Sequence, residues 1–356
     1  MKKRLKTIRK WIDHLDDSIL SLLIERVSLA KKIGKVKSEI GEAVYSIDRE
    51  KEILSRLIAK KIDPLKDEDV EVIFQEIFNV SRGVQKKLRV SYFGPEATFT
   101  HQTALKHFGR NNEMIPQKSI SDVFIEVEKG RADYGVVPIE NSTEGVVNHT
   151  LDMFVNSDLK ICAEREEPIS HHLLSPSGQI SKIKRVYSHP QALAQCRNWI
   201  QSHLSKVEVH ESASTADAAL EASLDGSAAA IASPLAARLY HLKTAAQGIE
   251  DSLENCTRFL VIGCVAPGKS GKDKTSVLLS IKDRVGALND ILSVFKNHGL
   301  NLTKIESRPT KRKAWEYLFF VDFEGHMSET PAQRALEDLR QTCLSVKILG
   351  SYPKSD

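Results

Sequence analysis

Two basic side chains interrupt an otherwise apolar stripe near the start of the chain. Apolar residues recur every three or four positions from Leu5 to Ile40, a spacing typical of one face of an α-helix. Arg26 and Lys37 lie on that face, and Arg9 lies on the same stripe. Charges removed from water are costly unless they are paired. We therefore expect these cations to face anionic groups.

Further polar groups accompany that stripe in the next two helical patterns. Ser81 and Gln85 are four residues apart on the apolar face of the third pattern, and Arg49 and Glu50 open the second. The alternative is that the cations snorkel to the helix rim or pair with neighbouring glutamates. A single cation would fit that alternative, whereas the whole set favours a binding site.

Polar clusters also stand where strands of the central region lead into helices. Their serines and threonines could be helix caps, because caps are drawn from these residue types. Four clusters in one region instead favour a shared pocket, since ligands of α/β folds bind at the carboxyl ends of strands. The clusters are residues 94–101, 138–145, 188–191 and 255–259.

Other chemistries have less support. Ser188 beside His189 could suggest a hydrolase and Cys256 a thiol nucleophile, but neighbours in a strand project to opposite faces and no orienting acid is evident. The chain lacks both G-x-G-x-x-G and G-x-x-x-x-G-K-[ST], which are nucleotide-binding patterns. Its five cysteines form no C-x-x-C pair and have no histidine at zinc-ligand spacing. We predict no cofactor and no metal ion.

The elements that must position these residues change character after the first ninety residues. A helix over residues 5–40 would be about 50 Å long, too long to bury its stripe against the helices that follow at 48–60 and 68–87. We therefore predict an all-helical module at 1–88 that forms an intertwined dimer. From 89 to 266, short apolar runs alternate with helix starts, which indicates a two-lobed α/β domain with mostly parallel sheets.

A third module follows a short, polar segment. Residues 267–274 are small and charged, which is typical of a linker. Beyond them, we predict strands at 276–281, 302–307, 317–323 and 346–349, with helices at 287–297 and 332–342. That order, βαββαβ, predicts a ferredoxin-like domain over 275–352.

The composition of the chain limits which classes of partner and cellular location are possible. The chain has 356 residues, is 41% hydrophobic and 28% charged, and carries a formal net charge of +4. Such a small surplus argues against a nucleic-acid partner. No apolar run approaches the roughly 20 residues of a membrane helix, and no signal-peptide core follows the N-terminus. We expect a cytoplasmic protein with no membrane partner.

Residues 5 to 88 resemble the all-helical chorismate mutases. The resemblance rests on Arg9, Arg26-Val27, Gly34-Lys35-Val36-Lys37, Ile47-Asp48-Arg49-Glu50 and Ser81-x-x-x-Gln85. It implies a Claisen rearrangement of chorismate to prephenate, in which positioning and electrostatics supply the catalysis. By resemblance, Arg9 of a partner chain, Arg26 and Arg49 bind carboxylates and Ser81 supports one. Lys37 and Gln85 donate to the ether oxygen, and Glu50 holds the substrate hydroxyl. This chain departs from the family at Ser46, where many relatives carry an Asp that contacts the same hydroxyl.

Residues 89 to 265 resemble prephenate dehydratase through the Thr257-Arg258-Phe259 triplet and the Glu140-Asn141-Ser142 run. That family converts prephenate to phenylpyruvate, water and carbon dioxide in a cleft related to periplasmic binding proteins. The resemblance implies that the Thr257 hydroxyl assists departure of the ring hydroxyl and that Arg258 binds or positions a carboxylate. Asn141, Ser188 and Gln191 would complete the pocket. The proton source is left open, because a threonine hydroxyl is a weak acid.

Residues 275 to 352 resemble the ACT domain that is fused to prephenate dehydratases. The motifs are Gly286-Ala287-Leu288 and Glu306-Ser307-Arg308-Pro309, with Asn289 as a departure from the apolar residue that relatives carry. Spacing alone would also fit a helix start and the end of an edge strand. The resemblance implies that phenylalanine binds at these residues between paired ACT domains and inhibits the dehydratase.

Together, the three resemblances predict a bifunctional enzyme of phenylalanine biosynthesis that acts on chorismate and then on prephenate. We expect a homodimer, with a homotetramer left open. The alternative is a non-catalytic amino-acid sensor that uses the cleft and the ACT domain. A mutase fused to prephenate dehydrogenase is disfavoured, because the dinucleotide fingerprint is missing.

Overall fold

The computed structural model describes residues 2–40, 47–60, 63–252, 254–281, 284–309 and 317–355. Two compact units make up the chain. The first consists of Met1–Leu88 with Phe108–Glu113, and the second of Arg89–His107 with Met114–Asp356. None of the helices in the described ranges is both long and apolar enough to cross a membrane.

The first unit is helical, as predicted. Its helices are α1 (Lys2–Ile40), α2 (Ile47–Ile58) and α3 (Asp67–Gln85), and α3 packs against both others. The side of α1 that carries the predicted apolar stripe is largely exposed, with Trp11 67%, Leu22 66% and Ile40 62% exposed. Exposed apolar residues in such a contiguous row mark an interaction surface. The single chain therefore leaves most of its longest helix uncovered.

The second unit begins with a lobe built on one mixed sheet. Its strands are β1 (Arg89–Phe93), β2 (Glu113–Gln117), β3 (Tyr134–Asn141), β4 (Gly145–Val146), β5 (Lys160–Pro168) and β11 (Cys256–Gly263), and its helices are α4 (Phe99–Phe108), α5 (Ile120–Glu128) and α6 (Asn148–Asn156). The strand order is β2-β1-β3-β11-β5, with β4 paired to β3. Strands β1 and β3 are parallel, whereas β11 runs antiparallel to both β3 and β5.

A second sheet forms the other lobe. Its elements are β6 (His172–Ser175), β7 (Arg185–Ser188), α7 (Pro190–Gln195), α8 (Arg197–His203), β8 (Glu208–Glu211), α9 (Thr215–Ser223), β9 (Ala228–Ala232), α10 (Pro234–Leu239) and β10 (Lys243–Ala246). The strand order is β10-β6-β9-β7-β8, in which β7 is parallel to β8 and β9, but β6 is antiparallel to β9 and β10. The two-lobed α/β fold is confirmed, while the expectation of mostly parallel sheets is wrong. Strand β11 brings the chain back into the first sheet after the second lobe is complete, and it runs against β3 and β5.

The last part of the chain has the predicted βαββαβ order. Its elements are β12 (Asp273–Ser280), α11 (Ala287–Asn297), β13 (Leu302–Pro309), β14 (Tyr317–Glu324), α12 (Thr330–Thr342) and β15 (Ser345–Pro353), and the antiparallel sheet has the order β13-β14-β12-β15. One end of the predicted linker is strand instead, because Lys274 lies in β12 and is buried against Glu164. Phe320 and Tyr352 of this sheet join one hydrophobic cluster with Ile161 and Leu260 of the first lobe. That shared core explains why the two regions form a single unit.

Candidate active sites

In the helical unit, Arg26 of α1 reaches across to α3. Its guanidinium donates to the Ser81 hydroxyl, which in turn donates to the carbonyl of Ile77 at 2.7 Å. The guanidinium carbon also lies 5.4 Å from the centre of the Phe78 ring. Burial lowers the pKa of Arg26, and the charge of Glu50 opposes that change. The predicted pair of Arg26 and Ser81 is thus brought together by the packing of α1 on α3.

Glu50, the predicted partner of a substrate hydroxyl, is held by a cation that sequence reasoning missed. Arg82 Nη1 lies 2.7 Å from both carboxylate oxygens of Glu50, and Arg82 is only 3% exposed. Its other terminal nitrogen donates to Asn79. The sequence feature that could have revealed Arg82 is its position directly after Ser81 in a helix that is partly apolar. A buried arginine therefore orients the acidic group of this site.

Gln85 of α3 packs directly against Gly34 of α1. A methyl group on Gly34 would lie 2.8 Å from the Cα of Gln85, so this crossing requires glycine. Gln85 Oε1 is buried and has no hydrogen-bond partner among the described residues. Lys37 is half-buried about one turn further along α1. Both groups predicted to donate to a ligand therefore belong to the same stretch of helix contact.

The remaining predicted residues of this site are not gathered within one chain. Arg9 is exposed on α1, and Arg49 is exposed in an ion pair with Glu52 at 2.6 Å. Ser46, the departure from the related mutases, lies outside the described residues. One chain therefore supplies only part of the predicted set.

In the second unit, a cavity of 910 Å³ lies between the two lobes. Three predicted residues, Asn141, Gln191 and Thr257, line it, as does Phe259. Asn141 and Thr257 are cross-strand partners on β3 and β11, and Asn141 Nδ2 donates to Thr257 Oγ1 at 2.8 Å. Gln191 comes from α7 of the other lobe. The cavity is large enough for a small organic substrate.

A chain of amide side chains fixes the direction of these hydrogen bonds. The backbone N–H groups of Thr143 and Glu144 both donate to Asn141 Oδ1 at 3.0 Å, so the other end of this amide must be the donor. It donates to Thr257 and to Asn255 Oδ1, 2.9 Å away. The Thr257 oxygen thus accepts from Asn141, and its own proton remains to be donated into the cavity.

The same chain continues to a buried histidine. Asn255 Nδ2 donates to Gln195 Oε1 at 3.0 Å, and His171 Nε2 lies 2.9 Å from that oxygen. Because Gln195 Oε1 can only accept, Nε2 of His171 carries the proton. Burial lowers the pKa of His171, which favours this neutral form. Gln195 follows Gln191 by four residues on α7, a helical spacing that could have revealed it.

Two residues predicted for the pocket lie elsewhere. Ser188 is fully buried and donates to the carbonyl of Ile231 at 2.6 Å, so it links β7 to β9 and is absent from the cavity lining. Arg258 follows Thr257 on β11 and therefore projects to the opposite face of the sheet. Its guanidinium lies 2.7 Å from Glu164 and 2.7 Å from Asp322. Direct contact of Arg258 with a substrate carboxylate in this cavity is thus not supported, because its side chain projects from the opposite face of the sheet and is held there by two ion pairs.

The predicted effector residues occupy the start of α11 and the end of β13. Gly286 has φ +82° and precedes α11, so this left-handed turn favours glycine. Ala287 is buried, whereas Leu288 and Asn289 are exposed. Along β13, Glu306 and Arg308 are half-buried and alternate with exposed Ser307 and Pro309. Arg308 pairs with Asp152 of α6 at 2.6 Å.

The described parts of the chain therefore define a multidomain protein with two separate polar sites, one helical and one between α/β lobes, and a ferredoxin-like module. Comparison with known families refines this class. The prephenate dehydratase family matches residues 90–266, the chorismate mutase type II family residues 8–86, and the ACT domain residues 275–341.

Two relatives extend these matches. The chain is 49% identical to the bifunctional chorismate mutase/prephenate dehydratase of Aquifex aeolicus, with 99% of each chain covered. The crystal structure of prephenate dehydratase from Arthrobacter aurescens in complex with L-Phe has a TM-score of 0.70 and 35% identity, and the match covers 75% of this chain and 90% of that one. The chain belongs to the family of bifunctional chorismate mutase/prephenate dehydratases, and both the enzyme prediction and the resemblance are confirmed.

The fold alone does not determine one reaction. A solved chain described as GqqA, a novel type of quorum quenching acylase, has a TM-score of 0.67 and 27% identity, and the match covers 75% of this chain and 98% of that one. Assignment of residues to the reaction must therefore come from the site itself.

Proposed function

We propose that Thr257 is the hydroxyl that assists loss of water from prephenate, and that Asn141 holds it in position. The observation that carries this proposal is the directed hydrogen bond from Asn141 Nδ2 to Thr257 Oγ1 at 2.8 Å. Because the Thr257 oxygen already accepts, its proton can donate to the departing ring hydroxyl. Gln191 and Gln195 supply further amide groups to the same cavity.

The reaction itself needs little else from the protein. The carbon–oxygen bond to the ring hydroxyl breaks as that oxygen gains a proton and leaves as water. The bond to the ring carboxylate breaks, its electron pair enters the ring, and carbon dioxide leaves. Aromatisation supplies the driving force, so orientation and one well-placed donor are the protein's contribution.

For the helical unit, we propose that chorismate binds beside Arg26, Ser81 and Gln85, with Glu50 on the substrate hydroxyl. The charge on Arg26 and the buried amide oxygen of Gln85, which has no hydrogen-bond partner in the described part of the chain, support a polar ligand here. Lys37 and the amide nitrogen of Gln85 would donate to the ether oxygen as it gains charge. Arg82 would keep Glu50 oriented through its contacts with both carboxylate oxygens.

We further propose that two chains pair along α1, because an exposed apolar stripe of this length needs a partner. Pairing would bring Arg9 of one chain to the site of the other. Phenylalanine would act as the feedback inhibitor through the ACT domain. The complex of the Arthrobacter aurescens prephenate dehydratase with L-Phe supports this effector, because that protein is 35% identical to this chain.

One assay tests both activities. Purified protein is given chorismate alone, without added cofactor, and chorismate, prephenate and phenylpyruvate are followed over time. We expect phenylpyruvate after transient prephenate. Thr257→Ala should convert chorismate to prephenate and stop there, whereas Arg26→Ala should leave chorismate unchanged but still convert prephenate that is supplied in a parallel assay. Loss of both activities in either folded variant would contradict separate sites, and binding without turnover would favour the sensor alternative.

A further inference from the structure

The two strands that carry Asn141 and Thr257 carry a second cross-strand pair on their other face. In the register of β3 and β11, Thr257 is opposite Asn141 and Arg258 is opposite Glu140. Side chains alternate along a strand, so the first pair faces the cavity and the second faces away from it. Any shift of Glu140 or Arg258 therefore moves backbone that is directly bonded to the cavity pair.

Arg258 is the centre of a buried, charge-balanced cluster that spans the dehydratase and ACT regions. Its guanidinium contacts Glu164 of β5 and Asp322 of β14 at 2.7 Å each, and Glu164 also accepts from Lys274 of β12 at 2.8 Å. Tyr352 of β15 lies 3.2 Å from the same guanidinium. Two cations and two carboxylates offset each other out of water, so their geometry is tightly constrained.

Glu140 also forms an ion pair with a residue of the ACT region. Lys304 of β13 lies 2.6 Å from its carboxylate, and Arg258 lies 3.9 Å away. Lys304 shares one face of β13 with Glu306 and Arg308, because the three alternate with exposed residues. The strand that carries the predicted effector residues is thus tied to the backbone of the catalytic pair by one ion pair.

We propose that Glu140 and Arg258 are positioning residues through which the ACT module sets the geometry of Asn141 and Thr257. The links are the Lys304–Glu140 ion pair and the contacts of Arg258 with Asp322 and Tyr352, and displacement of β13 or β14 would loosen the position of the donor hydroxyl. The inference rests on the proposed role of Thr257, and it deepens that role by naming what holds the donor in place.

The test uses the full-length protein and the substitution Lys304→Met, which keeps the length of the side chain and removes the charge. The dehydratase kcat should fall about 5-fold or more, within the usual range of coupling between sites, while KM for prephenate changes less than about twofold. Inhibition by L-phenylalanine should weaken although the ACT region still binds it, as measured by calorimetry. Lys304→Arg should restore both properties.

The matched control is Lys160→Met. Lys160 also joins the two regions, since it donates to the Ile348 carbonyl at 2.9 Å, but it lies on β5 opposite Gly263, at the far end of β11 from Thr257. This variant should keep wild-type kcat and inhibition. Equal effects of the two substitutions, or an unchanged kcat with full inhibition in Lys304→Met, would overturn the inference. Full dehydratase activity in Thr257→Ala would instead overturn the proposed function, so the two failures are distinguishable.

Discussion

The helical site and the α/β cavity, each proposed to bind a small dicarboxylate, differ in the groups that surround the proposed substrate. The helical site collects charges, Arg26, Glu50 and Arg82, on helices whose longest member is largely uncovered. In the cavity between the lobes, neutral amides and a hydroxyl form the hydrogen-bond network around Thr257, although Lys118, Glu144 and Asp217 also line the cavity, and one chain supplies all of these groups. Charges that stabilise a rearrangement can come from two chains, because electrostatic interactions act over some distance. Proton donation needs a hydroxyl whose orientation is fixed by directly contacting hydrogen-bond partners.

Loss of the Thr257 hydroxyl should have the greatest effect on the cavity. Thr257→Val keeps the shape and removes the hydroxyl, so dehydratase kcat should fall about 100-fold or more, the usual contribution of a positioned proton donor. Thr257→Ser should retain most of the rate. Steady-state kinetics with prephenate measure both, and unchanged mutase activity checks the fold. A Val variant as active as the Ser variant would remove the hydroxyl from the mechanism.

Two arginine substitutions test whether both chains of a dimer contribute to the helical site. Arg9→Ala and Arg26→Ala should each lower mutase activity strongly, because each removes a charge proposed to bind a carboxylate. If Arg9 comes from the partner chain, co-expression of the two variants should restore about a quarter of wild-type activity, because about half of the dimers are mixed and each has one intact site. No recovery in mixed dimers, separated by two affinity tags, would assign Arg9 to the site of its own chain.

The weakest effect on turnover is expected at Ser188, where a substitution should change stability and leave the dehydratase rate nearly unchanged. Ser188→Ala removes a buried donor to the Ile231 carbonyl, which should cost about 1 kcal/mol of unfolding free energy. Dehydratase kcat should stay within about twofold, because Ser188 does not line the cavity. Denaturant unfolding and prephenate turnover give the two numbers. A large fall in kcat without loss of stability would return Ser188 to the catalytic residues.

Much of the fold could be predicted from periodicity. The long helix α1 and the βαββαβ order of the last module followed from apolar spacing and turn residues, with α11 at the predicted bounds. The antiparallel course of β11 could not be predicted in this way, because periodicity describes one strand and not its neighbour. The burial of Lys274 was missed for the same reason, since its partner Glu164 is distant in the sequence.

The residue types proposed to do the chemistry could be identified from the amino-acid sequence alone. The Thr257-Arg258-Phe259 triplet, the Asn141 amide and the cations of α1 are local patterns, and their resemblance to two enzyme families predicts two activities. Which of these groups face a site depends on the packing of distant elements, and the sequence pattern did not show it. In the folded protein, Arg258 faces the ACT module and Ser188 is buried between strands. Gln195 and Asn255 are connected to Thr257 by hydrogen bonds through Asn141. The physical reason is that hydrogen bonds and ion pairs are short-range, so their partners are chosen by strand register and packing between elements far apart in the chain.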